Sequence, residues 1–226
     1  MNYSIFEVFR IGIGPSSSHT VGPMTAANGF LADLEKRGSL GSVRRVVAKL
    51  FGSLALTGTG HGTGFAVVAG LMGESPETVD PETSREAVAA VETSRRLPLG
   101  GLHEIPFDPA TDLLMLKSEF LPEHPNGMTI EAFGGGGTIL HANTYFSIGG
   151  GAVMDRASLL ASRCKGDDVA IERKVPCVFH NAEALLALCR ARNLSIPEAI
   201  WQNEQSYQSA EETRARLLKV WHVMRS

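Results

Sequence analysis

The chain has 226 residues, with 21 lysines and arginines against 24 aspartates and glutamates, a formal net charge of −3 and 43% apolar residues. That length accommodates one large domain or two small ones around a real core, and the balanced charge, with no basic run, argues against a nucleic-acid partner. No apolar run reaches the length of a membrane span and no charged start leads into one, so no membrane partner is expected and the chain reads as cytoplasmic.

The first informative stretch reads Gly12-Ile-Gly-Pro-Ser-Ser-Ser-His-Thr-Val-Gly-Pro23. Gly12 and Gly14 permit tight or left-handed turns, Pro15 fixes one φ angle, and three hydroxyls run into a histidine. Met24, Ala27, Phe30, Leu31 and Leu34 then recur at helical spacing up to Gly38, which predicts a helix starting near Pro23. Its N-terminus carries about half a positive charge. Ser16, Ser17 and Ser18 are therefore a candidate anion cradle, and the same field biases His19 toward its neutral form. The plainer alternative is that these hydroxyls only cap the helix.

Residues 43–51, rich in β-branched and apolar side chains, predict a strand punctuated by Gly52-Ser53. Residues 54–63 read as a glycine-rich loop carrying Thr59 and His61, with Thr63 at its end, and 65–72 as a helix of small residues. Asp80-Pro81-Glu82 opens a helix to about residue 96. Beyond Leu97 the pattern turns to short extended pieces. Segments 128–133 and 138–148 predict a hairpin joined by four glycines, with Gly149 to Gly151 breaking its second strand. Ahead of it, Pro122 and Pro125 hold His124 and Asn126 in a stiff loop.

From about Asp155 the composition is helical. Asn181 caps a helix over 182–191, and Ser195 with Glu198 makes a capping box for the next. Leu217, Leu218, Val220, Trp221 and Met224 form an apolar stripe that must be buried against something. Either it packs on a partner chain or the sequence is the first part of a longer protein, the second being favoured. The spacing of Cys164, Cys177 and Cys189 matches no CxxC pair or zinc framework and their odd count predicts free thiols, with Cys189, in an apolar helical run, read as core.

Three histidines, His19, His61 and His124, fall in Gly/Pro-punctuated segments, the first two with hydroxyls close by in sequence. Three chemistries are open to them. A Ser/His nucleophilic pair would join Ser16, Ser17 or Ser18 to His61, but no Gly-x-Ser-x-Gly elbow is present. A His₃ zinc site has no supporting spacing. Proton abstraction beside a bound carboxylate fits best, with hydroxyls and helix N–H groups holding the anion while a neutral imidazole takes the proton. Expelling a hydroxide would also need an electrophile, and these residues supply none.

The segments 4–24, 51–63 (Phe-Gly-Ser-Leu-Ala-Leu-Thr-Gly-Thr-Gly-His-Gly-Thr), 124–128 (His-Pro-Asn-Gly-Met) and 145–151 (Tyr-Phe-Ser-Ile-Gly-Gly-Gly) resemble, in order, the β region of bacterial iron–sulfur L-serine dehydratases. The resemblance implies an enzyme converting L-serine to pyruvate and ammonia, with a [4Fe–4S] cluster as the electrophile. It implies that Ser16, Ser17 and Ser18 grip the substrate carboxylate and that His61 is the leading base. His19 is its assistant or competitor, and Thr63, His124 and Asn126 complete the polar shell. Family members are about twice this length and keep the cluster cysteines in a C-terminal α domain, so the ligands are expected outside this chain.

The β region also resembles the allosteric substrate-binding domain of some phosphoglycerate dehydrogenases. That likeness keeps a non-catalytic sensor of serine or a related anion as the alternative. The resulting expectation is an α+β domain over residues 1–154, with helices packed on a mixed sheet, followed by a helical segment over 155–226. The expected partners are L-serine, the α domain or a separate α subunit, and a second copy in a homodimer.

Overall fold

A computed structural model of the chain describes residues 4–164 and 174–225. Packing divides it into two compact units. One is Gly12–Ala161, and the other combines the described residues of Met1–Ile11 with those of Ser162–Ser226. The division expected at residue 154 rested on composition, which gives no sign that the N-terminal segment belongs with the C-terminal helices.

In chain order the elements begin with α1 (Ile5–Val8) and a π-helical turn (Ser17–Val21) that runs straight into α2 (Gly22–Lys36). Next come β1 (Arg45–Phe51), α3 (Gly52–Leu56), α4 (Gly58–His61), α5 (Thr63–Leu71) and α6 (Pro81–Ser94). A ribbon of β2 (Arg96–Leu99) and β3 (His103–Pro106) precedes α7 (Pro109–Asp112), β4 (Leu113–Leu116), β5 (Gly127–Phe133), β6 (Ile139–Gly149) and β7 (Ala152–Asp155). The chain continues through α8 (Arg156–Cys164), α9 (Ala182–Arg192), α10 (Ile196–Glu204) and α11 (Ala210–Arg225).

The main sheet has the order β4-β1-β5-β6-β7, with β1 parallel to β4 and every other pairing antiparallel. This is the mixed sheet of an α+β fold. Period-two alternation decides its faces. Val46, Ala48 and Leu50 of β1 and Met128, Ile130 and Ala132 of β5 enter one core with Met24, Ala27, Phe30, Leu31 and Leu34 of α2 and the interior of α5. On the opposite face Lys49 and Glu131 form an ion pair at 2.8 Å, and the hydroxyls of Thr129 and Thr144 lie 3.3 Å apart.

Helices α2 and α5 approach closely because Gly70 has no side chain: a Cβ there would stand 2.7 Å from both Ala27 Cβ and the Met24 carbonyl. Asn28 then donates from Nδ2 to the carbonyls of Gly70 and Glu74, at 3.0 and 2.9 Å, tying α2 to the end of α5 and the turn that follows it.

Two sequence expectations change, and a third gains an element. The helix expected near Pro23 begins a turn earlier, since Ser16 accepts the His19 N–H on its side chain and starts the helical path there. Pro23 has no N–H to continue an ordinary ladder, and the preceding turn widens to π spacing, with Gly22 N–H reaching the Ser17 carbonyl. The glycine-rich loop of 54–63 is helical over most of its length, as α3 and α4, with Gly62 left-handed at φ 66° between α4 and α5. Finally, Gly149 to Gly151 turn the chain back into β7, a strand too short to show a periodic signal.

In the other unit the expected caps form. Asn181 caps α9 and the Ser195/Glu198 box opens α10. Ser4 donates to Glu204 Oε1 at 2.7 Å and the Ile5 N–H to Oε2 at 3.0 Å, tying α1 to the end of α10. Cys177 and Cys189 are free, buried thiols packed with Ala199. The side chain of Cys164 and residues 165–173 of the expected helical segment lie outside the described residues. The α11 stripe does not find cover: Leu218, Trp221 and Met224 are 59%, 56% and 73% exposed.

Gly52 offers a test of how tightly the site end of the sheet is built. It holds φ at +53°, and a Cβ there would meet the Pro125 carbonyl oxygen at 2.5 Å, whereas Gly38, at φ +63°, faces open space. Gly52→Ala is expected to cost about 2–5 kcal/mol and Gly38→Ala only about 1–2 kcal/mol, read as a larger fall in the urea midpoint for the former.

Candidate functional site: a serine–histidine turn at one end of the sheet

The strand register brings the end of β1, the start of β5 and the end of β6 together, with Leu50 opposite Met128 and Gly127 opposite Phe146. Main-chain bonds then draw in the connecting segments. Gly52 N–H donates to the Glu119 carbonyl and Ser53 N–H to the Pro125 carbonyl, each at 2.9 Å. Ser147 N–H donates to the Asn126 carbonyl at 3.0 Å, and Asn126 Nδ2 returns a bond to the Ser147 carbonyl at 3.2 Å. The π-turn closes on the same place, because a Cβ on Gly22 would collide with Ser147 Oγ.

His19 lies between two hydroxyls, with Nδ1 2.8 Å from Ser18 Oγ and Nε2 2.9 Å from Ser53 Oγ. Its ring centroid is 5.0 Å from that of His61. The buried Thr20 hydroxyl fixes this spacing by donating to the His61 carbonyl at 2.7 Å. Burial first, and then the neighbouring charge of His61, hold His19 below the usual histidine range, while a hydrogen bond to the Ser53 main chain pulls the other way.

His61 Nδ1 is 2.9 Å from the Thr57 carbonyl oxygen. A carbonyl can only accept, so Nδ1 carries the proton and the neutral ring keeps its lone pair on Nε2. The two imidazoles are therefore in different situations. His61 has a basic nitrogen at a half-buried position, whereas both nitrogens of His19 are engaged by hydroxyls.

The three serines also separate. Ser16 acts as a cap, accepting the His19 N–H at 3.2 Å, and its Oγ is 3.4 Å from Ser18 Oγ. Ser17 is exposed, and the N–H groups of Ser17 and Ser18, first in the helical run, have no helical acceptor. The capping reading is realised at Ser16. Thr63 is fully buried against Gly58, with no hydrogen-bond partner for Oγ1 among the described residues. His124 accepts the Asn126 N–H on Nδ1 at 3.1 Å, and these two residues reach the cluster through Pro125 and Ser53.

Ser18 hydrogen-bonds to His19, so it is not the serine paired with His61 that a nucleophilic arrangement would need. Among the described residues no group of three or more His, Cys, Asp or Glu side chains could hold a metal ion, so the His₃ zinc alternative has no geometry behind it.

Sequence reading missed two residues. Ser53 looked like strand punctuation, although a serine directly after Gly at a strand end is also where a side chain is presented. Ser147 lay unremarked in a strand, yet it faces α2 and its hydroxyl is buried without a partner among the described residues.

Fold and site together define a class: an α+β domain that carries a serine–histidine helix turn where a mixed sheet ends. More narrowly, the chain belongs to the serine dehydratase beta chain family, which matches residues 4–158. It is 43% identical over 226 residues to the L-serine dehydratase of Streptomyces coelicolor, covering 100% of this chain and 49% of that protein. L-serine dehydratase 1 of Escherichia coli K12 is 41% identical over 224 residues, 99% of this chain and 48% of the relative. That of Helicobacter pylori is 36% identical over 225 residues, 99% and 47%. The chain spans about half the length of the curated relatives it matches. No helix among the described residues is long and apolar enough to cross a membrane.

The depressed proton affinity of His19 gives a pH prediction. An unfolded histidine titrates near 6.5. Below that value the unfolded chain binds a proton that folded His19 resists, so stability falls as pH drops and rises again as pH climbs through that value. Thermal melting between about pH 5 and 7 should show this slope, and His19→Asn should reduce it, the remainder coming from His141, which burial also holds low.

Proposed function

We propose that the chain is the substrate-gripping β portion of an L-serine dehydratase, which deaminates L-serine to pyruvate and ammonia. The observation that carries this reading is the asymmetry of the two histidines: His61 keeps a basic Nε2 while hydroxyls and helix N–H groups gather around His19. Ser16, Ser17 and Ser18, with the free N–H groups at the start of the helical run, bind the carboxylate of L-serine. His61 Nε2 removes the α-proton, and His19 supports the anion side as a neutral hydrogen-bonding group. Thr63, His124 and Asn126 line the polar surround. Loss of the β-hydroxyl leaves an enamine, which tautomerises to an imine and takes up water to release ammonia and pyruvate.

A general base contributes about 10²–10⁴-fold, so the departing hydroxide needs an electrophile as well. The described residues do not fit a [4Fe–4S] cluster: Cys177 and Cys189 are packed in an apolar cluster, and no set of three or more metal-binding side chains converges. The proposal therefore assigns the cluster to the half of the protein that this chain does not span, as an α domain or separate α subunit. On this reading the chain is inactive alone, and the exposed α11 stripe supports it by offering surface for such a half to cover. A homodimer and a cytoplasmic location belong to the same proposal.

Anaerobic reconstitution with the complementary half, followed by a pyruvate assay, tests it. Wild-type chain is expected to restore turnover and His61→Ala to lower it by roughly 10²-fold or more. Near-normal turnover of His61→Ala would remove that residue as the base. L-serine binding without any pyruvate in the reconstituted protein would instead indicate the non-catalytic sensor.

A further inference from the structure

We infer that Ser53 is a positioning residue of this site, holding His19 as a two-ended hydrogen-bond relay whose tautomer follows the direction in which Ser18 donates. Both ring nitrogens of His19 face hydroxyl oxygens, at 2.8 Å from Ser18 and 2.9 Å from Ser53. A neutral imidazole has one N–H and one lone pair, so one hydroxyl must donate to the ring while the other receives from it. Burial and His61 keep the ring in that neutral form.

Two arrangements satisfy the chain of donors. In the first, Ser18 donates to Nδ1, Nε2–H donates to Ser53, and the Ser53 proton is turned away. In the second, Ser18 points its proton at an external acceptor, Nδ1–H donates to Ser18 Oγ, and Ser53 must donate to Nε2. A carboxylate held by Ser18 permits only the second, and Ser53 is the group that completes it.

The backbone fixes Ser53 for this task. Its N–H is bonded to the Pro125 carbonyl at 2.9 Å, and its carbonyl accepts from the Thr57 N–H at 3.1 Å and the Thr57 hydroxyl at 3.0 Å. Thr57, one helical turn on, in turn offers its carbonyl to His61 Nδ1–H. Residues 53 and 57 share a helix face, so a single turn orients both imidazoles, the first through a side chain and the second through the main chain.

The carboxylate arm of this inference rests on the proposed function, whereas the Ser53 arm stands on the free protein. The experiment is a long-range ¹⁵N–¹H correlation spectrum of the histidines in the full chain, with and without L-serine, for wild type, Ser53→Ala and Ser53→Thr. Wild type with L-serine is expected to show His19 protonated on Nδ1 with a bare Nε2. Ser53→Ala should shift the His19 nitrogens in the free protein and weaken L-serine binding roughly 3–10-fold, the worth of one hydrogen bond, and Ser53→Thr should restore both.

Unchanged His19 nitrogen shifts in free Ser53→Ala would overturn the positioning role, as would a His19 that stays protonated on Nε2 with L-serine bound. A wild-type chain that shows no response to L-serine while Ser53→Ala still moves His19 would count against the proposed function and leave the Ser53 assignment supported.

Discussion

The Thr20 hydroxyl, 1% exposed, donates to the carbonyl of His61 across 41 residues of sequence, and the site depends on that bond. It fixes the last turn of α4 against the first turn of the long helical run, and so sets the 5.0 Å between the two imidazoles. The bond is partly buried, and its hydroxyl end would be costly to leave unsatisfied. Nearby, Gly22 and Gly52 admit close approaches that any side chain would block. A polar cluster is therefore held at tolerances normally associated with a core.

The position of that cluster follows from the sheet. Helices α2 and α5 cover the face carrying Val46, Ala48 and Leu50, and the cluster stands at the rim where these strands end. At that rim the backbone leaves the ladder, and its donors and acceptors must find partners elsewhere. Ser53, Asn126 and Ser147 supply them by cross-linking the segments after β1, before β5 and at the end of β6. The groups that close the edge are also the groups that fix the functional side chains, so architecture and chemistry are not separable there.

Much of this was legible in the sequence. Helical spacing of Met24, Ala27, Leu31 and Leu34 gave α2, alternation gave β1 and the β5–β6 hairpin, and the Asn181 and Ser195 caps stand where expected. Residues 54–63 were misread because glycine-rich composition lowers helix propensity locally, while burial of Leu54 and Ala55 and the tie from Thr20 override it. The serines and histidines of the turn could be picked out by type and spacing. What spacing could not show is which hydroxyl meets which nitrogen, since the Ser53 partner of His19 lies 34 residues away and only the strand pairing brings it home. Ser147 was hidden for a related reason: one residue of an alternating strand does not announce that the element above it is a glycine.

The ties that build the cluster also govern when it can exist during synthesis and folding. His19 to Ser53 and Thr20 to His61 join residues 34 and 41 apart, and Asn126 is locked only once Ser147 has been made. Loop closures of that length are slow to form and contribute nothing until both ends are present. The cluster is accordingly assembled late in the life of a nascent chain, after residue 147 has been added, and its integrity reports on the joining of β1, β5 and β6.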